Sequence, residues 1–161
     1  MKIGIIGYGV VGKAAANTLS KAYDLIKYDK YLDLNDFEDL KECEFVFVMV
    51  PTPFDCSKNV VDLSAVEDSL RKLSKLNFQN TVIIKSTVPP GSCSKFTEMF
   101  SFNIVFNPEF LRESTTPNED FENQDTIVIG TDQDIIFDAV KAMYQKIAID
   151  EARYYHTSAM E

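Results

Sequence analysis

The sequence predicts an α/β fold: a doubly wound, mostly parallel sheet in a single domain. Three observations carry that expectation. Apolar runs short enough for buried strands alternate with stretches whose apolar residues recur at helical spacing, and this order repeats along the chain. The first run passes straight into Gly7, Gly9 and Gly12, a G-x-G-x-x-G turn that opens an Ala-rich segment. Later runs break off at Pro51 and at Pro89-Pro90, where a central ladder cannot continue and the chain must leave the sheet. Strands joined through helices in this order take right-handed crossovers, which makes the architecture Rossmann-like. At 161 residues the chain is long enough for one domain of ordinary size with its own core.

In chain order, the run after Lys2 carries no charge and reads as a strand buried on both faces. A helix follows over roughly residues 10–22, then a second strand from Asp24 to Asp29. Residues 34–40 are a short polar segment whose apolar residues have helical spacing, and residues 44–50 form the third strand. Residues 54–62 read as a polar loop. Leu63, Val66, Leu70 and Leu73 then mark one face of a helix, and residues 81–87 are the fourth strand. A short helix with Phe96, Met99 and Phe100 on one side precedes a fifth strand at residues 102–106, and residues 125–130 are the sixth. Thr131 is placed to cap the next helix, with Asp134 as the reciprocal acid and Ile135, Ile136, Ala139, Val140, Met143 and Ile147 facing inward. A last short strand lies near Arg153-Tyr154-Tyr155.

Composition removes several classes of function. Hydrophobic residues at 45% with charged residues at 25% fit a globular protein. The formal net charge of −9 leaves no basic stripe, so nucleic acid is not an expected partner. No apolar segment reaches the ~18 residues of a membrane span, and the chain opens on a core strand rather than a signal peptide, so the cytoplasm is the expected location. Cys43, Cys56 and Cys93 are odd in number and lack metal-ligand spacing, which fits reduced thiols and no metal. His156 is the only histidine and is expected to pack at the surface.

The glycine turn supplies the chemistry. Gly7 permits the tight bend, Gly9 lets backbone approach a diphosphate, and Gly12 lets the helix lie close to the strand. The unpaired N–H groups at the helix start, with the positive end of the helix dipole, then hold the phosphates, and Gly7, Tyr8, Gly9, Val10, Val11 and Gly12 are the cofactor-binding turn. Asp29 ends the second strand 22 residues after Gly7, where a carboxylate meets the adenosine ribose. It accepts hydrogen bonds from the 2′- and 3′-hydroxyls and repels a 2′-phosphate, which favours NAD as cofactor, with Lys30 partly offsetting the repulsion. Three later loops carry Thr52, Ser86 with Thr87, and Glu109 with Glu113, and the fold rule puts them at one rim of the sheet. If residues 109–113 form a helical turn, both carboxylates share one side and suit the handling of a water or proton. Spacing alone equally allows Glu109 and Arg112 to be a solvated surface pair.

Four motifs add a resemblance: Gly7-Tyr8-Gly9-Val10-Val11-Gly12, Val50-Pro51-Thr52-Pro53, Ser86-Thr87-Val88-Pro89-Pro90-Gly91 and Asn107-Pro108-Glu109-Phe110-Leu111-Arg112-Glu113. In this order and spacing, covering essentially the whole chain, they resemble the N-terminal domain of the UDP-glucose 6-dehydrogenase and GDP-mannose dehydrogenase family. That family oxidises a sugar C6 alcohol twice with two NAD molecules, through a cysteine-bound thiohemiacetal and thioester. The resemblance implies that Gly7, Gly9, Gly12 and Asp29 hold NAD, with Tyr8, Val10, Val11, Lys30, Val50, Pro51, Thr52 and Ser86 lining its site. It implies that Thr87 and Glu109 position the hydrolytic water, that Glu113 lies near the nicotinamide, and that Glu109, Phe110, Leu111 and Arg112 meet the nucleotide-sugar. UDP-glucose is the substrate implied first. Ser114, after Arg112-Glu113, also looks like the GDP-mannose enzymes. Residues 1–156 are then the NAD-binding domain and residues 157–161 the start of the family's central helix. The family's Gly-x-Cys-x-Pro-Lys-Asp segment has no counterpart here, so the chain alone is expected to be inactive, as either an excised part of a longer chain or a product whose other half is supplied in trans. A non-catalytic nucleotide-binding module is the other reading.

Overall fold

Runs of Val, Ile and Phe too apolar for either side to meet water become the middle strands of a seven-stranded sheet. The computed structural model describes residues 1–112 and 114–160. The elements are β1 (Lys2–Ile6), α1 (Val10–Leu19), β2 (Asp24–Tyr28), a 3-10 turn (Phe37–Glu42), β3 (Phe45–Val48), β4 (Phe54–Asp55), β5 (Val60–Val61) and α2 (Ser64–Lys75). After them come β6 (Thr81–Ile84), α3 (Ser92–Met99), β7 (Asn103–Phe106), α4 (Pro117–Glu122), β8 (Thr126–Gly130), α5 (Asp134–Tyr144) and β9 (Arg153–Thr157). The sheet order is β2-β1-β3-β6-β7-β8-β9. All neighbours are parallel except β7 and β8, which pair antiparallel at Phe106 and Gly130.

Alternation along each strand feeds two cores. On one face Ile3, Ile5, Phe47, Ile83 and Val105 pack against Ala14, Ala15 and Leu19 of α1, Phe121 of α4, and Val140, Met143 and Tyr144 of α5. On the other, Ile6, Val46, Val48, Val82 and Ile84 pack against Leu40, Leu70, Leu73 and Phe96 from the 3-10 turn, α2 and α3. The sheet is therefore wound on both sides, as the strand–helix alternation predicts. Because β2 and β3 lie on opposite sides of β1, the chain reverses direction there, and the crevice at the carboxyl end of β1 is the switch point.

Several local expectations are corrected. Residues 54–62 contain a hairpin rather than only a loop. Asp55 Oδ1 accepts hydrogen bonds from the Ser57 and Lys58 amides, Asn59 takes a positive φ of 54°, and β4 and β5 pair antiparallel across that turn. Thr131 does not cap α5. It lies on the sheet, where its amide donates to the Thr157 carbonyl, and its hydroxyl accepts from the Gln133 amide one residue before the helix begins. With α5 starting at Asp134, its inward stripe is Ile136, Val140, Met143 and Tyr144, while Ile135 and Ala139 face solvent. Met99, the last residue of α3, is likewise exposed, and Phe96 fills the core. The first helix ends at Leu19 and is followed by a turn to Tyr23. Thr157 closes β9, and Ala159 and Met160 turn beyond it.

Candidate cofactor and substrate rim

Five neighbouring parallel strands, β2-β1-β3-β6-β7, end on the same edge of the sheet, and each delivers one of the predicted groups there. Across that edge the order is Asp29, then Gly7, then Val50 to Thr52, then Ser86 and Thr87, then Asn107 and Glu109. Four strand spacings separate the first from the last, or ~19 Å.

The glycine bend is dictated by crowding. Gly7 has a φ of +94°, and a Cβ there would lie 2.4 Å from the Met49 carbonyl oxygen. A Cβ on Gly12 would lie 2.0 Å from the Gly7 oxygen, so α1 sits on the bend with no room for a methyl group. Gly9 differs: a Cβ there would meet nothing within 4 Å, and Gly9 faces open space. The first helical hydrogen bond runs from Lys13 N–H to the Gly9 oxygen, leaving the amides of Val10, Val11 and Gly12 without carbonyl partners inside the helix. No side chain caps this end of α1. Free donors beside an open space suit a diphosphate, which is the part of a dinucleotide that backbone amides can hold.

Asp29 is locked at the tip of β2. Its Oδ2 accepts from the Tyr8 amide at 2.8 Å and its Oδ1 from the Tyr31 amide at 2.9 Å. One amide of the bend is thereby committed to the carboxylate, which ties the predicted ribose acid to the glycine bend. Each carboxylate oxygen keeps a further lone pair for hydroxyl donors. Lys30 is exposed, its Nζ 5.8 Å from the Tyr31 ring centre.

Ser86 joins the next two strand ends. Its hydroxyl donates to the Val50 oxygen at 2.8 Å and accepts from the Val50 amide at 2.9 Å, so Val50-Pro51-Thr52 is held beside Ser86-Thr87. Ser86 is buried, Thr52 half-buried, and Pro51 and Thr87 exposed at the rim.

Beneath Thr87 lies a polar network that sequence reasoning missed. The Lys85 side chain is wholly buried, its Nζ 3.0 Å from Glu109 Oε2, 3.1 Å from Asn107 Oδ1 and 5.3 Å from the Phe121 ring centre. Burial pushes the Lys85 ammonium below its ordinary value, and the Glu109 carboxylate opposes that shift. Asn107 accepts from the Tyr144 hydroxyl at 2.6 Å and donates to the Val128 oxygen at 2.7 Å. Burial above all, with the Glu109 charge behind it, raises the Tyr144 hydroxyl well above its usual range. The available signal was a lysine directly after the apolar run Thr81–Ile84, where a surface strand end was the easier reading.

The helical turn expected over residues 109–113 does not form across 109–112, which have no regular structure. Glu109 Oε1 instead accepts from the Phe110 and Leu111 amides at 2.9 and 3.2 Å, turning the chain back on its own carboxylate. Glu113 lies outside the described residues, and so does its pairing with Glu109. The surface Glu109–Arg112 pair is not made either. Arg112 forks onto Asp120 of α4 at 2.7 and 3.0 Å and its amide donates to the same carboxylate, holding Asp120 far below the usual carboxylate range. Glu109, Phe110, Arg112 and Asp120 line an open cleft of about 630 Å³ that also reaches Asn123 and Thr126. Phe110 is exposed in it and Leu111 is half-buried. Burial pushes the Cys43 and Cys93 thiols up to about 12, and Cys56 is exposed beside the β4–β5 turn. His156 stacks on Phe137 and bonds the Thr131 carbonyl oxygen at 2.8 Å, away from this rim.

Comparison with known proteins places the fold that carries these residues. Residues 26–148 match the NAD binding domain of the UDP-glucose/GDP-mannose dehydrogenase family. The chain is similar to the UDP-glucose 6-dehydrogenase of Rickettsia bellii, 40% identical over 116 residues, covering 68% of this chain and 26% of that protein. It is similar to that of Streptococcus pneumoniae, 32% identical over 166 residues, covering 83% of this chain and 42% of that protein. The chain thus spans about a quarter to two-fifths of the length of these curated relatives. Its fold is shared with a UDP-D-ManNAc dehydrogenase from Pyrococcus horikoshii, TM-score 0.85 at 20% identity over 99% of this chain and 47% of the other. It is shared also with a GDP-mannose dehydrogenase from Pseudomonas aeruginosa, TM-score 0.81 at 21% identity over 99% and 47%. Among the described residues no helix is long and apolar enough to cross a membrane. The chain belongs to the UDP-glucose/GDP-mannose dehydrogenase family and is its NAD binding domain.

Proposed function

We propose that this chain holds NAD along the sheet edge and presents it to the C6 hydroxyl of a nucleotide-sugar, UDP-glucose first, as the cofactor half of a 6-dehydrogenase. The observation that carries the reading is the order of groups on the rim: ribose acid, diphosphate bend, hydroxyl-bearing loops, then the Glu109 carboxylate. The bound cofactor supplies the hydride acceptor. Asp29 takes the adenosine ribose, the amides of Gly9 to Gly12 take the diphosphate, and Tyr8, Lys30, Val50, Pro51, Thr52 and Ser86 line the rest. Glu109, with one oxygen on the Phe110 and Leu111 amides, orients a water together with the exposed Thr87 hydroxyl and receives its proton. The family resemblance also assigns Glu113 a role near the nicotinamide, at a position outside the described residues. Glu109, Phe110, Leu111 and Arg112 border the sugar nucleotide, with the cleft beside Arg112 as its point of entry.

The covalent step belongs to a different stretch of polypeptide. Cys43 and Cys93 are buried with their protons held, Cys56 lies at a surface turn, and none stands in a Gly-x-Cys-x-Pro-Lys-Asp context. UDP-glucose is favoured by the names of the curated relatives, and GDP-mannose by Arg112-Glu113-Ser114. The purified chain is expected to bind NAD saturably, to reduce none with either sugar nucleotide alone, and to gain UDP-glucose turnover when a cysteine-bearing second half is added. Turnover by the chain alone contradicts the assignment of the nucleophile. Faster turnover with GDP-mannose overturns the sugar, and absence of NAD binding removes the whole reading.

A further inference from the structure

The one ammonium buried in full among the described lysines sits under the rim, and its surroundings give it two polar partners. The Lys85 side chain has no solvent exposure and lies where an aliphatic residue would pack, against the ring of Phe121. Placing a charge there costs several kcal/mol before pairing. Its polar neighbours are Asn107 Oδ1 and Glu109 Oε2, both on the strand end next to its own. Asn107 is fixed independently by Tyr144 and the Val128 carbonyl, so its position does not depend on the ammonium. Glu109 Oε2 is different. Among the described residues it is a buried oxygen that accepts no hydrogen bond of good geometry, and the Lys85 ammonium at 3.0 Å is its charge partner.

We propose that Lys85 is the positioning residue for Glu109: its buried ammonium draws one carboxylate oxygen inward, leaving the other to hold the Phe110 and Leu111 amides and shape the substrate-side turn. This rests on the reading of Glu109 as the carboxylate that works on water. Lys85 touches neither cofactor nor substrate, and acts through Glu109 alone. Without the ammonium, Glu109 Oε2 is a buried charge lacking a counter-ion, and the side chain relieves that by swinging to solvent. The Phe110 and Leu111 amides then lose their acceptor.

The test is made on the full chain with Lys85→Met, which keeps the volume and removes the charge. Amide exchange followed by NMR should be at least tenfold faster at Phe110 and Leu111, while Ile83 and Val105 in the flanking strands keep their protection. Unchanged exchange at Phe110 and Leu111 overturns the proposal. The second measurement covers a variant too unstable to assign. Adding Glu109→Gln to Lys85→Met should raise the urea midpoint above that of Lys85→Met, because the orphaned charge is gone. A double variant no more stable than Lys85→Met makes Lys85 a support for the core only, and the proposal fails. NAD titration of the unaltered chain is independent of both: its failure removes the dinucleotide reading and leaves the Lys85–Glu109 coupling standing or falling by itself.

Discussion

One methyl group at Gly12 and one at Gly9 separate the architecture of the bend from its ligand. At Gly12 the added carbon falls 2.0 Å from the Gly7 oxygen and 3.0 Å from its carbonyl carbon, backbone that no side-chain rotation can clear. Carbon–oxygen contacts settle at ~3.3 Å or more, so α1 must lift from the bend by over ~1 Å. Overpacking of this kind costs about 1–3 kcal/mol, against about 1 kcal/mol that Ala gains over Gly inside a helix. Because the obstacle is backbone that cannot rotate away, the upper part of that range applies, and Gly12→Ala is expected to lose a net of up to ~2 kcal/mol of stability and to weaken NAD by tenfold or more as the first-turn amides move. At Gly9, the N-cap of α1, the new methyl meets nothing, so the fold should lose no more than the ~1 kcal/mol by which Ala is the poorer N-cap. A diphosphate resting on Gly9 would nevertheless meet that methyl, so Gly9→Ala should also lose NAD. Urea denaturation and calorimetric titration of both variants decide it. A Gly12→Ala chain as stable as the parent with unchanged affinity, or a Gly9→Ala chain that binds NAD normally, refutes the reasoning.

Three further outcomes follow from the same geometry. Asp29→Ala should weaken NAD by about 1–3 kcal/mol, the worth of hydrogen bonds to a charged acceptor, and unchanged affinity by calorimetry would place the ribose acid elsewhere. Native-state alkylation read by mass spectrometry should label Cys56 first, since Cys43 and Cys93 are buried and held up to about 12; early adducts on either buried thiol would contradict their packing. The third concerns acid. Arg112 holds Asp120 below its unfolded value of ~3.9, so the pair contributes stability above that pH and loses it as pH falls toward the folded value. Asp120→Asn should therefore trail the parent in urea midpoint at pH 7 and pH 5, with the gap closing below about pH 4; a gap independent of pH would deny the ion pair any part.

The parts legible in the sequence were those written in one local pattern. Strands such as Phe45–Val48 are continuous apolar runs, and α2 places Val66, Leu70 and Leu73 on one stripe, so their type and order follow from periodicity. The glycine bend was legible because Gly7 and Gly12 occupy positions that exclude any side chain. What escaped depends on distant partners. Lys85 and Tyr144 are 59 residues apart and meet only through Asn107, which no spacing announces. The expected turn at residues 109–113 yields to side chain–backbone bonds from Glu109, and Arg112 prefers Asp120 eight residues on because α4, absent from the sequence reading, brings that carboxylate back. Thr131 has the chemistry of a cap but is retained by pairing with Thr157 on β9.

The central claim is that a dinucleotide lies along the carboxyl edge of the sheet, with its diphosphate on the amides of Gly9 to Gly12. Titrating NAD into the isotopically labelled chain and following backbone amides tests it directly. Saturable shifts should be largest at Gly9, Val10, Val11 and Gly12 and extend to Asp29, Thr52 and Thr87. Shifts confined to the cleft around Arg112 and Asp120, or none that saturate, would contradict it.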